Sequence, residues 1–207
     1  MGHFRQDSAE TSRLLERIRQ GDRLALEQLL VRYRPELREF VEARMNPMLA
    51  ARLDPSDVVQ EAQLSATQRI DDFLKRKPMP FRLWLRRTAY ERLIDLQRHH
   101  LKRGRRSVHR EVAFPDRSSI LLARHLMRPG SSPSQRMQAR ELAQRAAHAL
   151  SQLPDLDRQI VVMRHGEEMS FEEIGCVLDL EAATARKRFG RALLRLQKIL
   201  SDEGLLE

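Results

Sequence analysis

The spacing of apolar residues is the feature that most constrains what this chain can fold into. Along most of the 207-residue sequence, apolar side chains recur every three or four positions, which places them on one face of an α-helix. The sequence has no sustained strand-like alternation, no Gly-rich phosphate loop and no internal repeat. The pattern therefore predicts an all-α protein. In the N-terminal part it is carried by Leu14, Leu15, Ile18, Leu26, Leu29, Leu30, Tyr33, Leu37, Phe40 and Val41.

Capping residues and prolines predict where the N-terminal helices begin and end. Asp22 precedes the second apolar stripe and can cap its helix. Asp54 directly precedes Pro55. We therefore expect Asp54 to be the N-cap and Pro55 the first residue of the next helix. Pro35 falls within the second stripe. We expect a kink or the start of a new helix there, because proline cannot donate a backbone hydrogen bond.

Charge and cysteine content narrow the classes of partner and compartment. Lys and Arg number 38 against 29 Asp and Glu, a net charge of +9, which suits nucleic acid or an anionic membrane surface. Cys176 is the single cysteine, so an intrachain disulfide and a Cys-based metal cluster are excluded and a reducing compartment fits best. The N-terminus lacks the apolar core of a signal peptide, and no run approaches roughly 18 apolar residues. We expect a cytoplasmic protein without membrane insertion.

A change in composition predicts a domain boundary. Helical periodicity fades between residues 111 and 135, where RPGSSPS supplies the Pro, Gly and Ser of a flexible connection. The prediction is two small helical domains, 10–110 and 136–203, joined by a flexible linker over 111–135. Within the second domain, Asp155 or Asp157 is expected to cap a helix.

The segment from Ser170 to Leu196 changes from acidic to basic across a short turn. Ser170 and Glu173 form a capping-box pattern for one helix, and a second helix is expected to start near Glu181 after a turn at Asp179. Two short helices with a basic second one are typical of a helix-turn-helix whose recognition helix enters the DNA major groove. The alternative is a solvated basic helix that binds nothing. The second helix is predicted to bury Ala185, Phe189, Ala192, Leu193 and Leu196 and to expose Arg186, Lys187, Arg188, Arg191 and Arg195.

Four segments, in this order, resemble bacterial sigma factors of the extracytoplasmic-function group, within the sigma-70 family. IRQGDRLALEQLLVRYRPELREF is similar to the opening helices of that family, and DVVQEAQLSATQRIDDF to its core-binding helix. FRLWLRRTAYERLIDLQRHHLKR is similar to its promoter-melting helix, and the segment from LPDLDRQ to LLRL to its C-terminal domain. The resemblance covers about residues 14–200 and implies promoter-specific transcription initiation.

The resemblance also implies partners and site residues. The expected partners are core RNA polymerase, through its β′ clamp helices and β subunit, promoter DNA, and an anti-sigma factor. The positions that match the core-binding motif are Asp57, Gln60 and Glu61. The loop over 73–80, which precedes the melting helix, is expected to capture a flipped base of the minus-ten element. The candidate minus-ten contacts are Arg82, Arg86, Arg87, Tyr90, Arg98 and Arg103. The candidate minus-thirty-five contacts are Thr184, Arg186, Lys187, Arg188 and Arg191.

The sequence departs from the family pattern at three positions. Glu91 stands where the melting helix often carries Asn, and an acid facing DNA would repel phosphate. Asp179 and Glu181 replace a usual Gly and Ser, which predicts a weaker cap for the recognition helix. Trp84 lies on the apolar stripe, which favours a core position over a platform for stacking a base.

No motif predicts catalysis, a metal or a cofactor. His99 and His100 lie in a basic run without a convincing set of ligands around them. One alternative function is a freestanding helix-turn-helix regulator whose N-terminal lobe senses a ligand or dimerises. Another is an enzyme acting on nucleic acid, such as a helical nuclease, which would need clustered metal-binding carboxylates.

Overall fold

The computed structural model describes residue 4 and residues 6–45, 47–104 and 133–204. Within these ranges, residues 47, 48, 100–104, 133–136, 138–140, 142 and 143 are described by their backbone alone. The described residues form helices and connecting turns without any strand, which confirms the all-α prediction. The N-terminal helices are α1 (Ala9–Arg19), α2 (Arg23–Arg44), α3 (Pro47–Ala50), α4 (Pro55–Arg76) and α5 (Phe81–Gly104).

The C-terminal part contains α6, a helical segment that changes to π geometry, and two helices around a tight turn. The predicted linker lies outside the described residues except for 133–135, which already belong to α6, since proline is tolerated at a first helical position. The elements are α6 (Pro133–Ser151), α7 (Asp155–Val161), the π-helical turn Val162–Gly166, α8 (Phe171–Leu178) and α9 (Ala182–Asp202).

The described helices fall into two compact units. The first unit contains α1 to α5 and the second contains α6, α7 and α9, while the residues of α8 are divided between them. The predicted domain limits of 10–110 and 136–203 remain predictions, because residues 105–132 are outside the described ranges.

The caps of α2 and α4 confirm two sequence predictions. The Asp22 carboxylate accepts hydrogen bonds from the amides of Leu24 (3.0 Å) and Ala25 (3.2 Å). The Asp54 carboxylate accepts from Ser56 at 2.7 Å, and the amide of Asp54 donates back to Asp57 at 3.3 Å. Each carboxylate thus satisfies amides that a helix start leaves without an intrahelical partner.

Pro35 lies inside α2, which runs continuously from Arg23 to Arg44. The alternative that a new helix starts at Pro35 is therefore wrong. Pro35 is on the exposed side, whereas Leu29, Leu37 and Val41 on the same helix are buried. Burial of that stripe outweighs the cost of proline in a helix interior, about 3 kcal/mol.

An aromatic cluster forms much of the core of the first unit. Trp84 stacks on Phe73 with ring centroids 4.6 Å apart, and Phe81 contacts both Phe73 (5.7 Å) and Trp84 (5.6 Å). Tyr33 packs on Phe81 at 5.5 Å, and burial raises the pKa of its phenol. Trp84 is buried, so the core position predicted for it is confirmed.

The second unit has its own small core, made of Leu150, Leu153, Val161, Val162 and Ala192. Pro154 occupies the N-cap position of α7, and no side chain caps this helix. The prediction that Asp155 or Asp157 caps it is therefore wrong. Asp157 is instead directed at the arginines of α9.

Candidate nucleic-acid interfaces

The turn between α8 and α9 has the geometry that a helix-turn-helix requires. Ser170 Oγ accepts from the Glu173 amide at 3.1 Å, and the Glu173 carboxylate accepts from the Ser170 amide at 2.9 Å, which confirms the capping box. Asp179 has a positive φ of 56°, as expected of the turn residue. Glu181 is the N-cap of α9 and makes no side-chain cap, so the weaker cap is also confirmed.

Gly175 is a determinant of this turn that the sequence prediction missed. Its carbonyl accepts from the Leu180 amide at 2.9 Å. A Cβ at position 175 would lie 2.5 Å from the Leu180 carbonyl oxygen, closer than side chains approach backbone. The available signal was a glycine inside a short predicted helix, six residues before Glu181, where the recognition helix was expected to start.

The α9 helix buries one side and exposes a basic one. Ala185 and Ala192 are fully buried, and Phe189 packs half-buried against the core. Leu193 is 37% exposed, so its predicted burial is wrong, because it lies one residue, about 100° around the helix, from the buried Ala192. Among the candidate minus-thirty-five contacts, Thr184 is half-buried, whereas Arg186, Lys187 and Arg191 are exposed.

Arg188 has a tertiary role that its position on the basic side did not predict. Asp157 accepts from Arg188 Nη1 and from Arg195 Nη1, each at 2.9 Å. The Asp157 side chain is 5% exposed, whereas those of Arg188 and Arg195 are 35% and 54% exposed. One buried carboxylate thus ties two turns of α9 to α7, while both arginine side chains stay partly exposed.

Arg186 is placed by an aromatic contact. Its guanidinium carbon lies 5.4 Å from the centroid of the Phe171 ring, and that of Arg164 lies 5.0 Å from the same ring. The Phe171 ring in turn packs edge-on against Phe189 at 5.5 Å. Contacts of this kind restrain a cation without neutralising it.

The candidate minus-ten arginines divide between those held by carboxylates and those facing solvent. Glu36 on α2 accepts from Arg86 Nε at 3.0 Å and lies 4.0 Å from Arg82 Nη1. Arg86 is largely buried, so it holds α2 to α5. Arg98 is exposed and Tyr90 is half-buried, while the side chain of Arg103 lies outside the described residues.

Glu91 lies between two arginines. Its carboxylate accepts from Arg87 Nε at 2.9 Å and from Arg69 Nη1 at 3.2 Å. Arg69 comes from α4 and was not a sequence candidate. The acid at this position is therefore compensated within its own unit, which reduces the repulsion expected for a nearby phosphate.

The three residues that match the core-binding motif lie on one exposed side of α4. Asp57, Gln60 and Glu61 are all exposed, at a spacing of three and four residues. Leu64, which sequence reasoning missed, continues the same side and is 61% exposed. We call these four residues the α4 stripe.

Two negative findings concern the described ranges only. Within them, no three His, Cys, Asp or Glu side chains are grouped so as to hold a metal ion. None of the helices traced there combines the length and apolarity needed to cross a membrane.

The capped turn and the exposed cations of α9 define a helix-turn-helix DNA-binding protein. Comparison with known families gives two matches, "Sigma-70 region 2" over residues 29–106 and "Sigma-70, region 4" over residues 143–196. The ECF RNA polymerase sigma-E factor of Escherichia coli K12 is 31% identical over 180 residues, 86% of this chain and 88% of the relative. The chain belongs to the extracytoplasmic-function (ECF) group of the sigma-70 family.

Other relatives agree with this assignment. The RNA polymerase sigma-H factor of Pseudomonas aeruginosa is 28% identical over 192 residues, 92% of this chain and 94% of that protein. The structure of CnrH in complex with the cytosolic domain of CnrY matches with a TM-score of 0.56 and 25% identity, over 94% of this chain and 99% of that one. RpoE of Bartonella quintana, solved with the anti-sigma factor NepR, shares the fold at 20% identity and a TM-score of 0.54, over 84% of this chain and 96% of that one.

The family assignment decides between the functions left open by the sequence. The protein is a sigma factor: it binds core RNA polymerase and directs promoter-specific transcription initiation. The freestanding regulator is not favoured, because both sigma-70 regions are present and in order.

Proposed function

We propose that three surfaces divide the work of this sigma factor. The α9 helix reads the minus-thirty-five element, the α4 stripe binds the β′ clamp helices of core polymerase, and α5 with the loop before it opens the minus-ten element. Phosphodiester chemistry is left to the polymerase, and the protein acts beside it in the cytoplasm. The observation that carries the proposal is the set of exposed cations Arg186, Lys187 and Arg191 on the second helix of a helix-turn-helix.

The broadest test is run-off transcription with purified core enzyme on a genomic promoter library. The proposal expects a small set of templates to be transcribed only when this chain is added. Those templates should share two sequence elements at a constant spacing. Transcription without such shared elements would contradict the division into two DNA-reading surfaces.

Arg186→Ala is expected to weaken promoter binding by the holoenzyme about 5- to 150-fold, the equivalent of about 1–3 kcal/mol for one bidentate base contact. Arg186 is the most informative choice because it is exposed and contacts the Phe171 ring, whereas Arg188 is bound to the buried carboxylate of Asp157. A base contact would also relax specificity at one position of the element. A phosphate contact would instead weaken all sequences alike and lower the salt dependence. Fluorescence anisotropy on wild-type and single-base variant promoters separates these outcomes.

Lys198→Ala is the matched control for Arg186→Ala. It removes one positive charge from an exposed position of the same helix. Lys198 lies about 18 Å along the helix axis from Arg186, since the helix rises about 1.5 Å per residue. Promoter affinity of this control should change little. Equal losses in both variants would show a general charge effect and would remove the support for base reading by Arg186.

In the minus-ten region we assign different roles to the candidate arginines. Arg98 is exposed, and with Tyr90 and Arg103 it is proposed to contact the opened strand. Opened bases bind to stacking surfaces with cationic rims. Arg82, Arg86 and Arg87 lie beside the carboxylates of Glu36 and Glu91 and are proposed to shape that surface.

The α4 stripe is proposed as the core-polymerase contact. Leu64 supplies an exposed apolar side chain among polar neighbours, the composition of a small interface anchor with a polar rim. Asp57 also caps its own helix, so its substitution would mix stability with binding. Glu61 lies beyond the first turn and is the better probe.

Glu61→Lys is expected to lower affinity for core polymerase by at least about tenfold, because a lysine is placed against a partner surface that is proposed to be basic. Stability should change by no more than about 0.5 kcal/mol, since the position is exposed. A pull-down with purified core and circular dichroism of the same sample measure both quantities. Glu39→Lys, the same change at an exposed residue of α2, is the control. If folded Glu61→Lys captures core as well as the control does, the contact is elsewhere.

An anti-sigma factor is proposed as a further partner. CnrH, which matches 94% of this chain at 25% identity, is solved with the cytosolic domain of CnrY bound. This supports a protein regulator for the present chain, whose identity would come from co-purification and mass spectrometry.

A further inference from the structure

The start of α5 is capped by a residue from the far N-terminus. The residue before this helix is Pro80, whose side chain has no hydrogen-bond acceptor. Asp7 supplies what is missing: its Oδ2 accepts from the Phe81 amide at 2.8 Å and its Oδ1 from the Arg82 amide at 3.4 Å. One carboxylate thus meets two amides at the start of α5, across 74 and 75 residues of sequence.

The neighbours of Asp7 hold it in place. Ser8 caps α1 by accepting from the Thr11 amide at 3.2 Å, and the Ser8 and Thr11 hydroxyls share a hydrogen bond of 3.0 Å. The Thr11 hydroxyl in turn shares a 3.0 Å hydrogen bond with the hydroxyl of Tyr33, whose ring packs on Phe81. The residue next to Asp7 is therefore fixed to the same core that holds the first residue of α5.

The predicted loop over 73–80 is wrong in its first half, because residues 73–76 belong to α4. The loop that remains, 77–80, is anchored at both ends. At its start, Lys77 has a φ of 38° and its amide donates to the Phe73 carbonyl at 2.7 Å, which closes α4. At its end, Asp7 fixes the first two amides of α5. Because the loop is so short, the position of either helix end sets the geometry of the whole segment.

We propose that Asp7 is a positioning residue for minus-ten capture. It holds the start of α5 so that the preceding loop presents a preformed surface to the flipped base. Without this cap the first turn of α5 frays and the loop must order when the base binds, which weakens capture. The inference rests on the proposed role of α5 and its loop in minus-ten opening.

The test measures how holoenzyme binds single-stranded non-template oligonucleotides that carry the minus-ten element of a promoter selected by run-off transcription. Each base is replaced in turn by an abasic site, and the captured position is the one whose loss weakens the wild type most. The quantity of interest is the ratio of affinities for the intact and the abasic oligonucleotide at that position. For Asp7→Ala this ratio should fall roughly tenfold, because affinity for the intact strand drops while affinity for the abasic strand stays near the wild-type value.

Two further variants separate positioning from general stability. Asp22→Ala removes the cap of α2 but not that of α5, so it should lower the melting temperature without changing the ratio. Asp7→Asn keeps one acceptor oxygen and should show an intermediate ratio; it decides the question if Asp7→Ala does not fold. If wild-type holoenzyme shows no captured position, the minus-ten role of the loop is wrong. If it shows one and the Asp7 variants keep the full ratio, or Asp22→Ala loses it equally, the positioning role of Asp7 is wrong.

Discussion

Gly175→Ala is expected to destabilise the recognition motif by up to about 2 kcal/mol and to abolish specific binding to the minus-thirty-five element. The added Cβ would lie 2.5 Å from the Leu180 carbonyl oxygen, which is backbone and cannot rotate away. Overpacking of this kind costs about 1–3 kcal/mol. The helix preference of alanine, about 1 kcal/mol over glycine, offsets only part of that cost. The turn must open, and α9 then leaves its place relative to α8.

Gly190→Ala provides the matched control for stability. Gly190 lies in α9, and nothing is found within 4 Å of the Cβ that alanine would add. This substitution should therefore stabilise the protein by about 0.5–1 kcal/mol. Thermal unfolding of both variants measures the change in stability. Promoter binding by Gly175→Ala measures the loss of minus-thirty-five recognition. Two variants of equal stability would mean that the tight approach at Gly175 does not constrain the turn.

Asp157→Ala is expected to destabilise the protein by about 2–3 kcal/mol. Asp157 is a buried common acceptor for Arg188 and Arg195, and a hydrogen bond to a charged group contributes about 1.5–3 kcal/mol. The total stays below the sum of two such bonds, because both guanidinium groups can turn towards water once the carboxylate is gone. Chemical denaturation of the full chain measures the change.

Asp155→Ala is the control for Asp157→Ala, two residues away on the same helix. Asp155 is 87% exposed and, among the described residues, pairs with Arg158 at 2.7 Å, an arrangement worth about 0–1 kcal/mol. Its loss should be small. Equal losses at 155 and 157 would refute the special role of the buried carboxylate.

Combined substitution of Asp157 and Arg188 distinguishes two possible roles of Arg188. If Arg188 acts only by tying α9 to α7, then Arg188→Ala should add little to Asp157→Ala in promoter binding. If it also contacts DNA, the two losses should add, since the DNA contact does not depend on the carboxylate. A double-mutant cycle on promoter affinity distinguishes these outcomes.

Features that depend on neighbouring residues could be predicted from the sequence. The caps at Asp22 and Asp54 and the Ser170–Glu173 box each join groups two or three residues apart. Helical periodicity likewise placed Trp84 in the core. Such features follow from local backbone geometry, which is the same wherever a helix begins.

Only the tertiary structure decided which charged groups act within the fold and which face outwards. Arg86 meets Glu36 across 50 residues, and Asp157 meets Arg188 and Arg195 across 31 and 38. Asp7 reaches the start of α5 across 74. In the sequence these residues look like the exposed arginines and acids around them. Their partners are set by how the helices pack, which depends on contacts between distant parts of the chain and not on the pattern within any one helix.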